Sequence, residues 1–153
     1  MGAKTYTVKG LNKALKSLPA LAKAELRQAS LDIAELVADD ARQRARLEGG
    51  LGMLVAPSIV ATRDSVPRVK EGSAKKLPAH SDGRARTGAR QTVGDVMWGA
   101  EFGGGRRPTT RQFRPWRGSG SDAGYILYPA VRRNAERTGE LYSEALDAAL
   151  QEL

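Results

Sequence analysis

The chain has 153 residues, enough for one domain, and 41% of them are apolar but only 5% aromatic, so the core it can build is modest. It has no cysteine, which excludes a disulfide framework and thiolate metal sites, and no run of about 18 apolar residues that could form a membrane-spanning helix. The net charge of +8 is unevenly placed: residues 1–50 carry 9 basic and 6 acidic side chains, residues 51–120 carry 13 and 5, and residues 121–153 carry 3 and 6. Such asymmetry suits contact with a polyanion or an acidic protein surface, and equally a basic solvated surface. Residues 1–10 lack the apolar stretch of a signal peptide, so the chain is expected to be intracellular at synthesis.

Residues 5–9 (TYTVK) alternate as a short strand does. Leu11, Leu15 and Leu18 then recur at helical spacing, Ser17 is placed to cap a new helix, and Pro19 is tolerated in its first turn. The clearest signal follows. Ala22, Leu26, Ala29, Ile33, Leu36 or Val37, Ala41 and Ala45 share one helical face, and Glu25, Gln28, Asp32, Glu35, Asp39, Arg42 and Arg46 share the other. This pattern predicts a helix of about seven turns, stopped by Gly49 and Gly50.

Residues 53–55 and 58–62 (SIVAT) read as β-like, and residues 66–70 (VPRVK) can pair with the latter behind a turn at residues 63–65. Residues 71–91 are poor in apolar groups and are expected to form a mobile loop. Residues 92–102 (TVGDVMWGAEF) return to strand character, with Val93, Val96, Trp98 and Phe102 available for the core. Residues 103–121 are again expected to be a mobile, irregular loop. Residues 125–128 (YILY) lead into a last helix with Pro129 in its first turn. Its stripe is Val131, Ala135, Thr138, Tyr142, Ala145, Ala149 and Leu153, which keeps phase through Gly139 and predicts one helix to the end of the chain, the alternative being a break there with Thr138 capping a separate last helix. The expected fold is a single α+β domain over residues 1–153, a small antiparallel sheet covered by a long N-terminal and a C-terminal helix, with long basic loops.

Few residues suit catalysis. His80 is the sole histidine, lies in a polar loop and has neither cysteine nor a second histidine to complete a metal site. Glu35, Asp39 and Asp40 look like a carboxylate cluster, but consecutive helical residues point about 100° apart, so Asp39 and Asp40 diverge. The glycines at 103–105 precede two arginines but lack the lysine and following helix of a phosphate-binding loop, and read instead as a hinge. Arg84, Arg86, Arg90, Arg106, Arg107, Arg111, Arg114 and Arg117, with Phe113 and Trp116 among the last of them, carry more weight. Arginine with aromatic residues suits single-stranded nucleic acid and also suits protein interfaces. No helix-turn-helix, zinc-finger or RNA-motif pattern accompanies them, which favours the interface.

Three segments carry a resemblance: GAEFG at residues 99–103, RQFRPWRG at 111–118, and DAGYILYP at 122–129 followed by AVRR at 130–133. They resemble the tail-completion or neck family of long-tailed double-stranded DNA bacteriophages, especially actinobacteriophages. That family combines a long N-terminal helix, a strand ending in (V/A)EFG, an irregular polar loop, an F-x-P segment and a final helix. The basic loop at residues 63–90 departs from the family core in being longer. The resemblance implies a non-enzymatic virion structural protein, needing no cofactor or metal. It would form a homo-oligomeric ring at the head–tail junction, between head-connector and tail-terminator or tail-tube proteins, with genome DNA passing through it. The implied location is the virion neck, reached from the host cytoplasm during assembly, with no membrane contact. Arg106, Arg107, Arg111, Phe113, Arg114, Trp116 and Arg117 are then candidate subunit or partner contacts, and Arg84, Arg86 and Arg90 candidate DNA-facing residues. The alternative is a stand-alone nucleic-acid-binding protein using residues 84–117.

Overall fold

The computed structural model describes residues 8–77, 91–104 and 113–152. In chain order the elements are α1 (Val8–Ser17), α2 (Ala20–Glu48), α3 (Leu51–Val55) with a 3-10 turn (Ala56–Ser58), β1 (Val60–Thr62), β2 (Arg68–Lys70), α4 (Val93–Phe102) and α5 (Leu127–Gln151). The class is α+β: two long helices with a two-stranded antiparallel sheet in register Val60↔Lys70, Ala61↔Val69 and Thr62↔Arg68.

The α2–α5 pair is the backbone of the fold. Ala22, Leu26, Ile33, Val37, Ala41 and Ala45 are buried along α2, as their spacing requires, Ala34 and Ala38 join them, and Ser30 takes the buried place expected of Ala29, which is half-buried. The first half of α2 packs on the last turns of α5, where Leu18, Ala22 and Leu26 meet Ala149, Tyr142, Ala145, Leu146 and Leu150. The second half packs on the start of α5, where Val37, Ala38, Ala41 and Ala45 meet Ile126 and Ala130. The two helices are therefore antiparallel, and the alanines let them approach closely. Ile59 and Ala56 close this second cluster, with the Arg42 Nε donating to the Ile59 carbonyl at 2.8 Å. Gly49, at φ +68°, ends α2 as expected, its N–H donating to the Arg46 carbonyl. Helix α2 begins two residues later than a Ser17 cap would place it: Pro19 takes the N-cap position, and its carbonyl accepts from the Lys23 N–H at 3.0 Å.

Four expectations need correction. Residues 92–102 form a helix rather than a strand. A capping box sets it: the Thr92 hydroxyl accepts from the Asp95 N–H, and the Asp95 carboxylate accepts from the Thr92 N–H at 2.7 Å. Val93 and Val96 then sit one turn apart on its buried face with Leu51, Val55 and Ala100, while Trp98 turns outward. Residues 53–55 belong to α3, not to a strand, because the close turn at Gly49 and Gly50 restarts a helix. Val8 and Lys9 lie in α1, not in a strand, and residues 5–7 fall outside the described residues.

The front half of the α5 stripe is also rotated. The helix does run unbroken through Gly139, but Ala130 is buried while Val131 and Ala135 are exposed. Asn134 holds that inner face by donating to Asp40 at 3.0 Å, so a polar residue replaced the apolar one that periodicity looks for. Asp40 also accepts from Arg133 and pairs with Arg44, whereas Asp39 and Glu35 meet Arg42. The two neighbouring aspartates diverge, as expected, but Asp40 lies against α5 rather than in solvent.

Ser30 is fully buried in the α2 stripe and its hydroxyl has no hydrogen-bond partner. A buried unsatisfied hydroxyl and serine's weaker helix propensity both act against stability. Ser30→Ala should therefore stabilise the protein by about 1 kcal/mol, read as a higher denaturant midpoint with unchanged slope.

Candidate functional site

The motif segments meet at the junction of α4 and α5. Glu101, in the last turn of α4, is 3% exposed and directs its carboxylate at the start of α5. Its Oε2 accepts from the Ile126 N–H at 3.2 Å and the Leu127 N–H at 2.8 Å, and its Oε1 from the Tyr128 N–H at 2.9 Å. Ile126 offers no capping side chain of its own, so a remote carboxylate satisfies the orphan donors and meets the positive end of the helix dipole. The Glu101 carbonyl also accepts from the Tyr125 N–H at 2.8 Å. Gly124, at φ +80°, lies against this carboxylate, and a Cβ there would collide with it and with Tyr128.

A second carboxylate lies nearby. Burial pushes Glu71 up to about 8 from an ordinary 4.5, and the negative charge of Glu101 adds to the shift. Its Oε1 is buried without a hydrogen-bond partner. The two carboxylates thus share a region but differ in state: Glu101 is bound by three amides, while Glu71 is held largely protonated at neutral pH. Neither lines the shallow pocket of about 120 Å³ between residues 49–52, α4 and residues 113–114.

Around Glu101 the other motif residues interlock. Phe113 lies half-buried against Gly99, where any larger residue would strike its ring, and against Gly104, where a Cβ would crowd its own Cβ. Gly103, at φ +80°, ends α4 and is the helix terminator rather than a hinge. The chain is then stitched by Gly104 N–H to the Arg114 carbonyl at 2.8 Å, Arg117 N–H to the Phe102 carbonyl at 2.7 Å, and Gly124 N–H to the Arg117 carbonyl at 2.8 Å. The Arg114 guanidinium donates to the Glu48 carbonyl at 3.0 Å and pairs with the Glu48 carboxylate. Arg114 and Arg117 both stand over the Tyr125 ring, at 5.4 and 4.7 Å, and the Tyr125 hydroxyl donates to the Pro115 carbonyl at 2.9 Å.

The outer side of this junction is aromatic. Phe102, buried, stacks on Trp98 at 5.2 Å, meets Tyr128 edge-on at 5.1 Å and lies 6.2 Å from Trp116. The three surrounding rings stay largely in solvent: Trp98 is 64%, Trp116 58% and Tyr128 50% exposed. Exposed Val131 extends the face along α5, and Arg117 and Arg132 stand in solvent within the same segments. Indoles grouped in solvent around a buried ring form an apolar patch that no described part of the chain covers, and such patches mark interaction sites.

Of the expected contact residues, Trp116 lies at this face, and exposed Arg117 beside it in the chain sets its guanidinium over the Tyr125 ring. Phe113 and Arg114 are instead engaged inside the chain, with α4 and with Glu48. Arg106, Arg107 and Arg111, the candidate DNA-facing Arg84, Arg86 and Arg90, and His80 lie outside the described residues. Sequence reasoning missed Trp98, Tyr128 and Glu101. The T-x-x-D signature at Thr92 and Asp95 was the signal that could have found the first, because a helix there places Trp98 and Phe102 one turn apart. Among the described residues no group of three or more His, Cys, Asp or Glu is placed to hold a metal, and no helix is long and apolar enough to cross a membrane. Comparison with protein-family models, curated proteins and solved structures returns no match.

Glu101→Ala should remove the acceptor for three amides and destabilise the protein by about 3 kcal/mol or more, with Glu101→Gln less harmful, by urea denaturation. Glu71 has the opposite effect on folding. Its native form holds a proton that the unfolded chain releases near 4.5, so stability should fall as pH rises from there to about 8 and level off above. Glu71→Gln should abolish that decline and raise the melting temperature at the alkaline end while leaving the acidic end unchanged.

Proposed function

We propose that this protein is a non-enzymatic structural subunit of a long-tailed bacteriophage neck, forming a ring at the head–tail junction through which genome DNA passes. The observation that supports this reading best is the convergence of the three resemblance-bearing segments on one junction. Their residues have a local physical purpose: Gly99, Glu101, Gly103 and Gly124 each serve the α4–α5 seam. What that seam presents outward is an aromatic and arginine-bearing face suited to a protein neighbour. In this reading that neighbour is the adjoining subunit of the ring, and the ring itself lies between head-connector proteins on one side and tail-terminator or tail-tube proteins on the other. The basic middle of the chain faces either these proteins or the DNA.

Virions purified from lysates should contain the protein at the neck, located by labelling and electron microscopy. Trp98→Ala with Trp116→Ala should leave the subunit folded but block joining, so that heads and tails accumulate separately. Absence from the virion would overturn the reading. A stand-alone nucleic-acid-binding protein would instead bind free DNA tightly, with an affinity that falls steeply as salt rises.

A further inference from the structure

We infer that the aromatic face around Phe102 is occupied by a second copy of this chain, whose acidic C-terminal half of α5 seats on it head to tail. The charge distribution points to this occupant. The face carries exposed Trp98, Trp116 and Tyr128; exposed Arg117 follows Trp116 directly in the chain, and exposed Arg132 lies one helical turn beyond Tyr128 on α5. Its complement would be a surface with a small apolar seam flanked by carboxylates.

The far end of α5 has that composition. Residues 138–153 contain Glu140, Glu144, Asp147 and Glu152 and no lysine or arginine. At about 100° per residue, Glu140, Glu144 and Asp147 share an arc of roughly 120° with Leu141 and Ala148. All five are exposed, and none of the acids forms an ion pair with another described residue. The opposite arc, with Tyr142, Ala145, Leu146 and Ala149, is taken up by α2.

The two surfaces cannot meet within one molecule. Tyr128 lies at the start of α5, and Glu144 and Asp147 lie roughly 24 to 28 Å further along the same continuous helix. The contact is therefore between copies and joins unlike surfaces, which generates a ring when the rotation closes and a filament when it does not. This inference deepens the neck reading and rests on it only for closure of the ring.

Analytical ultracentrifugation of the purified chain over a micromolar to millimolar range tests it. The unaltered protein should self-associate. Trp116→Ala, which disables the face, and Glu144→Arg with Asp147→Arg, which disables the helix end, should each weaken self-association by about tenfold or more. Circular dichroism checks that each variant is folded, and Arg117→Glu with Arg132→Glu serves as the face variant if Trp116→Ala is not. An equimolar mixture of a face variant and the helix-end variant keeps one intact pair of surfaces, so it should form dimers and stop there. An unaltered chain that stays monomeric, a helix-end variant that associates normally, or a mixture that does not dimerise would each overturn the inference. Normal head-to-tail association of a protein absent from the virion neck would leave this contact standing and remove only the neck reading.

Discussion

The structure depends on one buried carboxylate. Glu101 gives α5 the acceptors that its own first residues lack, and it does so from the last turn of another helix. Long helices usually begin with a serine, threonine or aspartate that caps them locally. Here Tyr125, Ile126 and Leu127 stand where a cap would, and they pack toward the α2 cluster instead. The start of α5 can therefore be both apolar and satisfied, at the cost of fixing α4 to it. The glycines around the seam follow from the same constraint, since the carboxylate, the Phe113 ring and the Pro115 carbonyl approach the backbone too closely for a Cβ.

Glu71 shows what the arrangement costs. A second acid near Glu101 finds no partner for one of its oxygens and is driven toward its neutral form. Burying one charge with three amides is tolerable, whereas burying two like charges together is not. The polar groups elsewhere on the long seam are handled differently: Asp40 collects Arg44, Arg133 and Asn134, and so binds α2 to α5 through shared hydrogen bonds.

Much of this fold was legible from periodicity. The α2 stripe, its glycine stop, the β1–β2 pairing and the continuity of α5 through Gly139 all follow from residue spacing. The misread parts have physical causes. Residues 92–102 are rich in valine and aromatic groups, so β propensity outvoted a capping box only four residues long. The inner face at the start of α5 was hidden because Asn134, a polar residue, occupies it. The aromatic face was only half visible. Phe113 and Trp116 stand out among arginines in the sequence, yet Phe113 packs inward, and the companions of Trp116 come from the two helices on either side of its loop. Glu101 could not be found by spacing at all, because its role exists only once α4 ends beside the start of α5.

Because α5 is one unbroken rod of 25 residues, it acts as a ruler with a screw thread. Each residue added between Tyr128 and Glu144 would lengthen it by only about 1.5 Å, but would turn everything beyond by about 100°. The end carrying Tyr142 and Ala149 would swing off α2 long before the change in length mattered. Length along α5 is therefore free to vary only in steps near whole numbers of turns, such as seven or eleven residues. Phase, more than distance, is what relatives of this chain would have to preserve.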